Sequence, residues 1–241
     1  MRAYRWRCKL MGPVEEWHNV RTPLDLKISD FDTQIRMDIE RTHPMDHWFD
    51  PHRESICKLL NAFANTNIGF GYPQGLNFLV FPLWKVYYQS NPKWAMHDTF
   101  YSLQHLVGAL LSVYPIHKSD NAALDQIELI CAIVKLRTSK KYPKLRRKIF
   151  SEEYSPFIIS IVSKMVPTLF ANVYTVNNCI LLWDNILMRD SILDAVVQCV
   201  VSLFCINHNA IMHLPLINCM CVIQESAPYT VSRMYGELLS T

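Results

Sequence analysis

Two short segments of this sequence contain side chains that together suit phosphoryl transfer. Residues 35–44 read I-x-x-D-x-x-R-T-x-P, which places Arg41 three positions after Asp38. Residues 71–75 read G-Y-P-Q-G, which places Gln74 between a proline and a glycine. An arginine can neutralise charge that develops on a transferred phosphoryl group, and a glutamine can orient the attacking water. Arg41 and Gln74 are therefore the candidate catalytic residues.

The neighbours of Arg41 indicate how its side chain is presented. Asp38 and Arg41 share one face of a helix at this spacing, so the carboxylate can hold the guanidinium. Thr42 and Pro44 predict the end of that helix, because a residue before proline disfavours helical angles. An arginine at such an end projects, and its planar, permanently charged group can grip two phosphate oxygens. Taken alone, however, this pair is more often a surface salt bridge of little energetic value.

The neighbours of Gln74 restrict its backbone. Pro73 fixes its own φ, and Gly75 allows a backbone or a partner to approach closely. Tyr72 is by default a packing residue whose hydroxyl finds a partner. A glutamine beside a glycine is, taken alone, more often an ordinary loop or helix-start residue.

The rest of the sequence predicts an all-α chain forming one domain over residues 1–241. Glycine is scarce, with only six residues, and no segment alternates like a strand. Asp30 and Asp50 are expected helix caps, and Pro82 should kink or split its helix. We expect a polar approach at 13–29 and helices near 1–12, 30–40, 50–66, 74–90, 94–113, 120–136, 155–165, 177–188, 190–206, 209–223 and 228–239.

Composition excludes several classes of protein. The chain is 50% hydrophobic and only 19% charged, so it can form a core and is not globally disordered. A net charge of +3 does not suggest a nucleic-acid binder. The eight cysteines form no C-x-x-C pair, which favours buried free thiols in a reducing compartment. The basic N-terminus is not a secretory signal, and polar residues interrupt 192–223 too often for a membrane span.

Two clusters have more than one interpretation. His43, His47 and His52 lie near two aspartates, but ligand spacing alone discriminates poorly, and we expect no metal site. The second cluster is a basic stretch at 135–148. It is either a solvated loop between helices or a surface attracted to anionic lipid or an acidic partner. Its members are Lys135, Arg137, Lys140, Lys141, Lys144, Arg146, Arg147 and Lys148.

In combination, these segments resemble the TBC domain family, whose members activate Rab GTPases. The family's arginine motif has the form I-x-x-D-x-x-R-T-x-P with aromatic residues after it, here Trp48 and Phe49. Its glutamine motif, G-Y-x-Q-G-M-N, matches residues 71–77 with Leu76 in place of methionine. Residues 5–12 look like the family's first helix.

A further match lies in the second half of the chain. Leu169-Phe170 followed by residues 180–184 looks like the family's L-F…L-R-L-W-D segment, so the resemblance covers about 2–205. The chain departs from the pattern at 165–167, where a W-F pair is usual, and at Leu182, where an arginine is usual. The glycine-containing segment 69–71 is also longer than usual before the tyrosine. We expect these departures to affect the choice of partner more than catalysis.

The resemblance implies an all-helical TBC-type domain that acts on a Rab-family GTPase in its GTP-bound state. Arg41 and Gln74 would then act in trans, with Asp38 orienting the arginine and Tyr72, Gly75 and Thr42 in supporting positions. No cofactor or metal is expected in this chain, because GTP and magnesium come with the partner. The expected location is the cytoplasm, with peripheral endomembrane association through 135–148 as a hypothesis.

Two other functions compete with this interpretation. One is a catalytically silent TBC-fold scaffold that binds a GTPase or a larger assembly. The other is a helical hydrolase or metal enzyme acting alone, which is disfavoured because the sequence offers no constellation of nucleophile and base.

Overall fold

The described part of the chain is built from helices. The computed structural model describes residues 1–12, 24, 26–114, 121–216, 218–219, 221–223 and 233–234, and these contain no β-strand. The prediction of an all-α fold is confirmed. The chain divides into two compact units, Met1–Leu111 with Ile116–Ser119 and Ser112–Pro115 with Asp120–Thr241. One domain over residues 1–241 stays a prediction.

The first unit is organised around a helix that is almost wholly buried. Eleven residues of α4 are buried, and α1, α2, α3 and α5 pack against it. Pro82 does not split α4, because packing on all sides favours a continuous helix, and a kink there stays a prediction. The helices of this unit are α1 Arg2–Met11, α2 Asp32–Arg41, α3 Arg53–Thr66, α4 Leu76–Ser90 and α5 Ala95–Ala109, with a 3-10 helix at His47–His52.

Helix α1 joins the first unit through one aromatic and one charged side chain. Trp6 is fully buried. Arg7 forms an ion pair with the buried carboxylate of Asp98 on α5, at 2.5 Å between Nη2 and Oδ2. The helix ends at Gly12, whose φ of 84° is accessible to glycine, as the sequence predicted.

The two expected aspartate caps were wrong. Helix α2 begins at Asp32 after Phe31, without a side-chain cap, so Asp30 does not cap it. Asp50 lies within the 3-10 helix before α3, where its carboxylate accepts from His47 at 3.0 Å and from Arg53 at 3.4 Å. The His47 hydrogen bond is the main cause that lowers the pKa of Asp50. Asp50 therefore bonds to these two side chains instead of capping helix α3.

The helices of the second unit largely follow the sequence-based expectation. Helix α8 has the predicted bounds. The expected helix at 209–223 is interrupted at Leu214 and Pro215, and the described residues 216, 218–219 and 221–223 are helical again. The described elements are α6 Ala122–Lys141, α7 Arg146–Ile149, α8 Ser155–Met165, α9 Val176–Ile186, α10 Ile192–Ile206 and α11 His208–His213, with 3-10 helices at Leu111–Val113, Pro143–Leu145 and Glu152–Tyr154. Most of the expected approach at 13–29 and of the helix at 228–239 lies outside the described residues.

The basic stretch 135–148 is helical rather than a loop, so that part of the expectation was wrong. Helix α6 continues to Lys141 instead of ending near 136, and a 3-10 helix and α7 follow it. Buried side chains within and directly beside the stretch explain this difference: Val134, Leu145 and Ile149 are buried and anchor the segment to the core.

The L-F and W-D segments meet through a hydrogen bond. Leu169 and Phe170 have positive φ values of 49° and 65°, which side chains other than glycine rarely adopt. The resulting turn directs the carbonyl of Leu169 to the indole nitrogen of Trp183, which donates to it at 2.9 Å. Both side chains are fully buried, so the segment organises the core of the second unit.

All eight cysteines are free thiols, and six of them are buried. Burial raises the pKa values of Cys57 and Cys131 to about 11, which keeps these thiols protonated. Within the described residues, no helix is both long and apolar enough to cross a membrane.

Candidate functional site

Arg41 is presented to solvent from the end of α2 while its partner is buried. Its side chain is 67% exposed, and its Nη2 donates to Oδ1 of Asp38, whose side chain is 3% exposed. Helix α2 ends at this residue, and Thr42 follows in an extended conformation. The hydrogen bond to Asp38 orients the guanidinium, while its other two nitrogens, Nε and Nη1, remain available to a ligand.

The second oxygen of Asp38 connects the arginine motif to the glutamine motif. Oδ2 accepts a hydrogen bond from the Tyr72 hydroxyl at 3.0 Å, in a buried setting. Burial first, and then the Asp38 carboxylate, raise the pKa of Tyr72, so its phenol remains a donor at physiological pH. Tyr72 therefore holds the carboxylate that orients Arg41, a role that its expected packing position did not reveal.

Thr42 ties the turn after Arg41 to helix α4. It is fully buried, and its hydroxyl donates to the backbone carbonyl of Asp38 at 2.5 Å. The same oxygen accepts from the side-chain amide of Asn77 at 2.7 Å. The end of α2 and the start of α4 thus share one continuous hydrogen-bond network, which restricts how the arginine can move.

Arg53 fastens the same turn from α3. Its guanidinium donates to the carbonyls of Ile39, Thr42 and His43 at 2.5, 3.1 and 3.2 Å. His43 has a positive φ of 46°, a conformation that costs energy for a residue other than glycine. A charged donor that satisfies three carbonyls at once stabilises this turn, because the C-terminal carbonyls of a helix otherwise have no intrahelical partners.

Two glycines shape the loop that carries Gln74. Gly71 has φ of 63°, and a Cβ there would lie 2.8 Å from Cζ of Phe31, so a larger residue would have a strained backbone and would displace this ring. Gly75 precedes α4 with φ of 99°, which is also a glycine conformation. Between them Tyr72 points into the core and Gln74 is exposed. The loop thereby rests on Phe31 at the start of α2 while presenting the glutamine to solvent.

Arg41 and Gln74 line the same open groove, whose volume is about 490 Å³. Helix α2 and the residues before it form most of its walls. Two apolar side chains of the groove are exposed, Phe31 at 37% and Met37 at 61%, and offer contact area to a partner. The lining residues are Asp30, Phe31, Thr33, Gln34, Met37, Asp38, Arg41 and Gln74.

The start of α2 is anchored by Asn61 of α3. Its side-chain oxygen accepts from the backbone and the hydroxyl of Ser29 at 2.8 and 2.7 Å. Its amide donates to Asp32 at 2.7 Å. Arg36 on the outer face pairs with the same aspartate and lowers its pKa. The groove wall is therefore held at both ends of α2.

The three histidines after Arg41 contact aromatic or acidic side chains. His43 packs edge-on against Phe81, and the ring centroids of His52 and Tyr88 lie 4.2 Å apart. His47 pairs with Asp50. Within the described residues, no group of three or more His, Cys, Asp or Glu side chains is arranged to hold a metal.

The sequence analysis missed three residues of the site. Asn77 belongs to the G-Y-x-Q-G-x-N motif, so the motif could have identified it. No sequence pattern identifies Arg53 or Asn61, because both bond largely to backbone groups or to side chains that are distant in sequence. Each of these three residues secures a turn or helix end rather than lining the groove.

Two of the three departures from the family pattern are buried. Met165, Val166 and Pro167 lie in the core of the second unit, and so does Leu182, so these differences concern core packing. The third departure, the segment 69–71, includes the exposed Gly69. The effect of these departures on the choice of partner stays a prediction.

Comparison with known proteins identifies the family. No curated protein matches the sequence. The fold is similar to the Ypt/Rab-GAP domain of Gyp1p, with a TM-score of 0.71 and 18% identity over 99% of this chain and 79% of that one. It is also similar to the Chlamydomonas flagellar RabGAP TBC domain, with a TM-score of 0.64 and 17% identity over 86% of this chain and 65% of that one. A model of the Rab-GTPase-TBC domain matches residues 11–212, which is most of the chain, and the chain therefore belongs to the Rab-GTPase-TBC domain family.

Proposed function

We propose that this chain accelerates GTP hydrolysis by a Rab-family GTPase, with Arg41 and Gln74 acting in trans. The observation that carries the proposal is the groove that both side chains line. Membership of the Rab-GTPase-TBC family supports it, and the two similar structures are both Rab-GAP domains. The nucleotide and its magnesium ion belong to the partner in this proposal.

Arg41 serves to neutralise the charge that develops on the transferred phosphoryl group. An arginine supplied in trans is typically worth about 10³–10⁵ in rate, which corresponds to roughly 4–7 kcal/mol of the barrier. Its anchored base and exposed tip suit this task, because little side-chain freedom is lost on binding. Asp38 and Tyr72 act as positioning residues behind it.

Gln74 orients the water that attacks the phosphoryl group. A side-chain amide can accept from the water through its oxygen and donate to a phosphate oxygen through its nitrogen. Gln74 is exposed and follows Pro73, whose ring fixes its own φ, and its side chain lines the groove. Preference for the GTP-bound partner follows because the γ-phosphate orders the switch segments that such a domain contacts.

The decisive experiment is single-turnover hydrolysis by a panel of GTP-loaded Rab proteins. Wild type, Arg41→Ala, Arg41→Lys and Gln74→Ala are compared, with Arg36→Ala as matched control. Arg36 is an exposed arginine of the same helix that does not line the groove. We expect wild type to accelerate GTP hydrolysis by at least one Rab, and Arg41→Ala to reduce this acceleration about 10³-fold or more. Arg41→Lys should also fail, because lysine cannot bind two oxygens in a fork.

The alternative is a silent TBC-fold scaffold, and the same panel distinguishes it. Binding of one GTP-loaded Rab without faster hydrolysis, unaffected by Arg41→Ala, would favour the scaffold. Equal loss of acceleration in Arg36→Ala and Arg41→Ala would point to general disruption of α2 and contradict the assigned roles.

We place the protein in the cytoplasm, where the GTPase partner presents its nucleotide.

A further inference from the structure

The positive charge of this chain is concentrated in one short segment. Eight basic residues and no acidic residue lie in 135–150, so this segment carries +8. The whole chain carries +3, which leaves −5 for all other residues together. The basic segment is therefore a local feature and does not follow from a generally basic composition.

The charges of this segment lie largely on its surface. Arg137, Lys140, Lys144, Arg146 and Arg147 are exposed. Lys135 and Lys148 are half-buried and bond to neutral oxygens. Lys135 donates to the hydroxyl of Ser155 at 2.8 Å, and Lys148 donates to the carbonyl of Leu214 at 2.9 Å. These bonds fix the side chains without cancelling their charge.

Two large apolar side chains are exposed among these charges. Leu136 is 63% exposed on α6 and Phe150 is 48% exposed just after α7. Leu136 precedes Lys140 by four residues, and Arg146 precedes Phe150 by four, so each apolar side chain shares a helical face with a basic one. The Arg146 pair is held in a helical turn, because the amide of Phe150 donates to the carbonyl of Arg146 at 3.1 Å.

From these observations we propose that the surface formed by residues 135–150 binds anionic lipid membranes. Basic side chains attract the negative surface of a bilayer, and neighbouring apolar side chains enter the boundary between headgroups and acyl chains. A nucleic acid could use the charges but gives no reason for an exposed leucine beside the lysines, and the experiment below distinguishes a bilayer from an acidic protein. The segment is anchored by buried Leu145 and Ile149, so it forms this surface without refolding. This proposal does not depend on GTPase activation.

Vesicle flotation with the full chain tests the proposal. The vesicles are pure phosphatidylcholine or phosphatidylcholine with about one-third phosphatidylserine, in buffers of low and high salt. The test variant carries Lys140→Glu, Lys144→Glu, Arg146→Glu and Arg147→Glu. The matched control carries Arg5→Glu, Lys9→Glu, Lys58→Glu and Lys93→Glu, which are exposed positions of the first unit. Both variants have the same net charge, and circular dichroism verifies that each is folded.

We expect wild type to float with the anionic vesicles only and to dissociate as salt rises, because screening weakens the attraction. Each basic residue near such a membrane strengthens binding about fivefold, so the test variant should bind at least about 100-fold more weakly. The control variant should retain most of its binding. Leu136→Ser with Phe150→Ser should lower binding about tenfold or more and leave the salt dependence unchanged.

Several outcomes would overturn the proposal. Wild type that stays unbound to anionic vesicles at low salt would do so, and so would equal losses in the test and control variants. Unchanged binding in the Leu136→Ser, Phe150→Ser variant would show that the bilayer interior is not contacted. Capture of soluble polyglutamate or RNA without vesicle flotation would assign the surface to an acidic macromolecule instead.

Discussion

The hydrogen bond from Tyr72 to Asp38 gives a sharp prediction, because both groups are buried and the substitution Tyr72→Phe preserves the ring. Tyr72 is 4% exposed and Asp38 is 2% exposed, so water cannot replace the lost donor. Removing one hydrogen bond to a charged group costs about 1.5–3 kcal/mol of unfolding free energy. The phenylalanine fills the same space, so no cavity contributes to this cost.

The assay is unfolding of the full chain by heat and by urea. For a chain of this size we expect a melting temperature about 3–12 °C below wild type, from about 2–4 °C per kcal/mol. Tyr88→Phe is the matched control: this tyrosine of α4 is half-buried, and its loss of a hydroxyl should change stability by less than about 0.5 kcal/mol.

A double-mutant cycle isolates the pair. Asp38→Asn removes the charge that Tyr72 satisfies, so Tyr72→Phe should cost at least about 1 kcal/mol less in that background. Equal costs in both backgrounds would refute the reasoning, and so would a Tyr72→Phe protein as stable as the Tyr88→Phe protein. Either result would mean that the carboxylate does not depend on the tyrosine for its buried position.

Three further predictions concern the surroundings of the site and the core. Arg53→Met removes the donor to three carbonyls and should lower the unfolding free energy by about 2 kcal/mol; a stability equal to wild type in urea would contradict its clamping role. Gly75→Ala should lower the unfolding free energy by roughly 1–2 kcal/mol, because φ is positive at this position. Gly108→Ala should raise it, because Gly108 lies in helix α5 with open space around the added methyl group. Thermal unfolding should therefore give a lower melting temperature for the first variant and a higher one for the second, and shifts of the same sign would contradict this reasoning. Cys57 and Cys131 have pKa values of about 11 in the folded chain against about 8.5 in the unfolded chain. The folded state therefore holds these protons more tightly, and stability should be complete below about pH 8.5 and fall as pH rises toward 11; a flat urea-unfolding profile over this range would be inconsistent with buried thiols.

Most of the helices could be predicted because their signals are local. Apolar residues at helical spacing located α3, α4 and α8, and their observed bounds differ by a few residues at most. Differences occurred for more than one reason. Pro82 lies within a continuous helix that surrounding helices stabilise, which depends on residues distant in sequence. Asp50 is a local case, because it bonds to His47 and Arg53, each three residues away, instead of capping a helix.

The extension of α6 through the basic stretch is a further difference. Eight neighbouring positive charges suggested a loop, since like charges repel in a helix. Buried residues on the inner face, among them Val134 and Leu145, outweigh this repulsion because burying an aliphatic side chain contributes about 1.5–3 kcal/mol.

The helical class, the family resemblance and the candidate pair Arg41 and Gln74 can all be inferred from the amino-acid sequence. Spacing along one helix also predicts that Asp38 holds Arg41, because residues three apart on a helix are neighbours. The hydrogen bond from Tyr72 to the other oxygen of that carboxylate, and those from Arg53 to the carbonyls of the turn, are visible only in the folded chain. Such contacts join groups far apart in the chain, or a side chain to a backbone carbonyl that every residue possesses, so no local pattern of residue types can encode them.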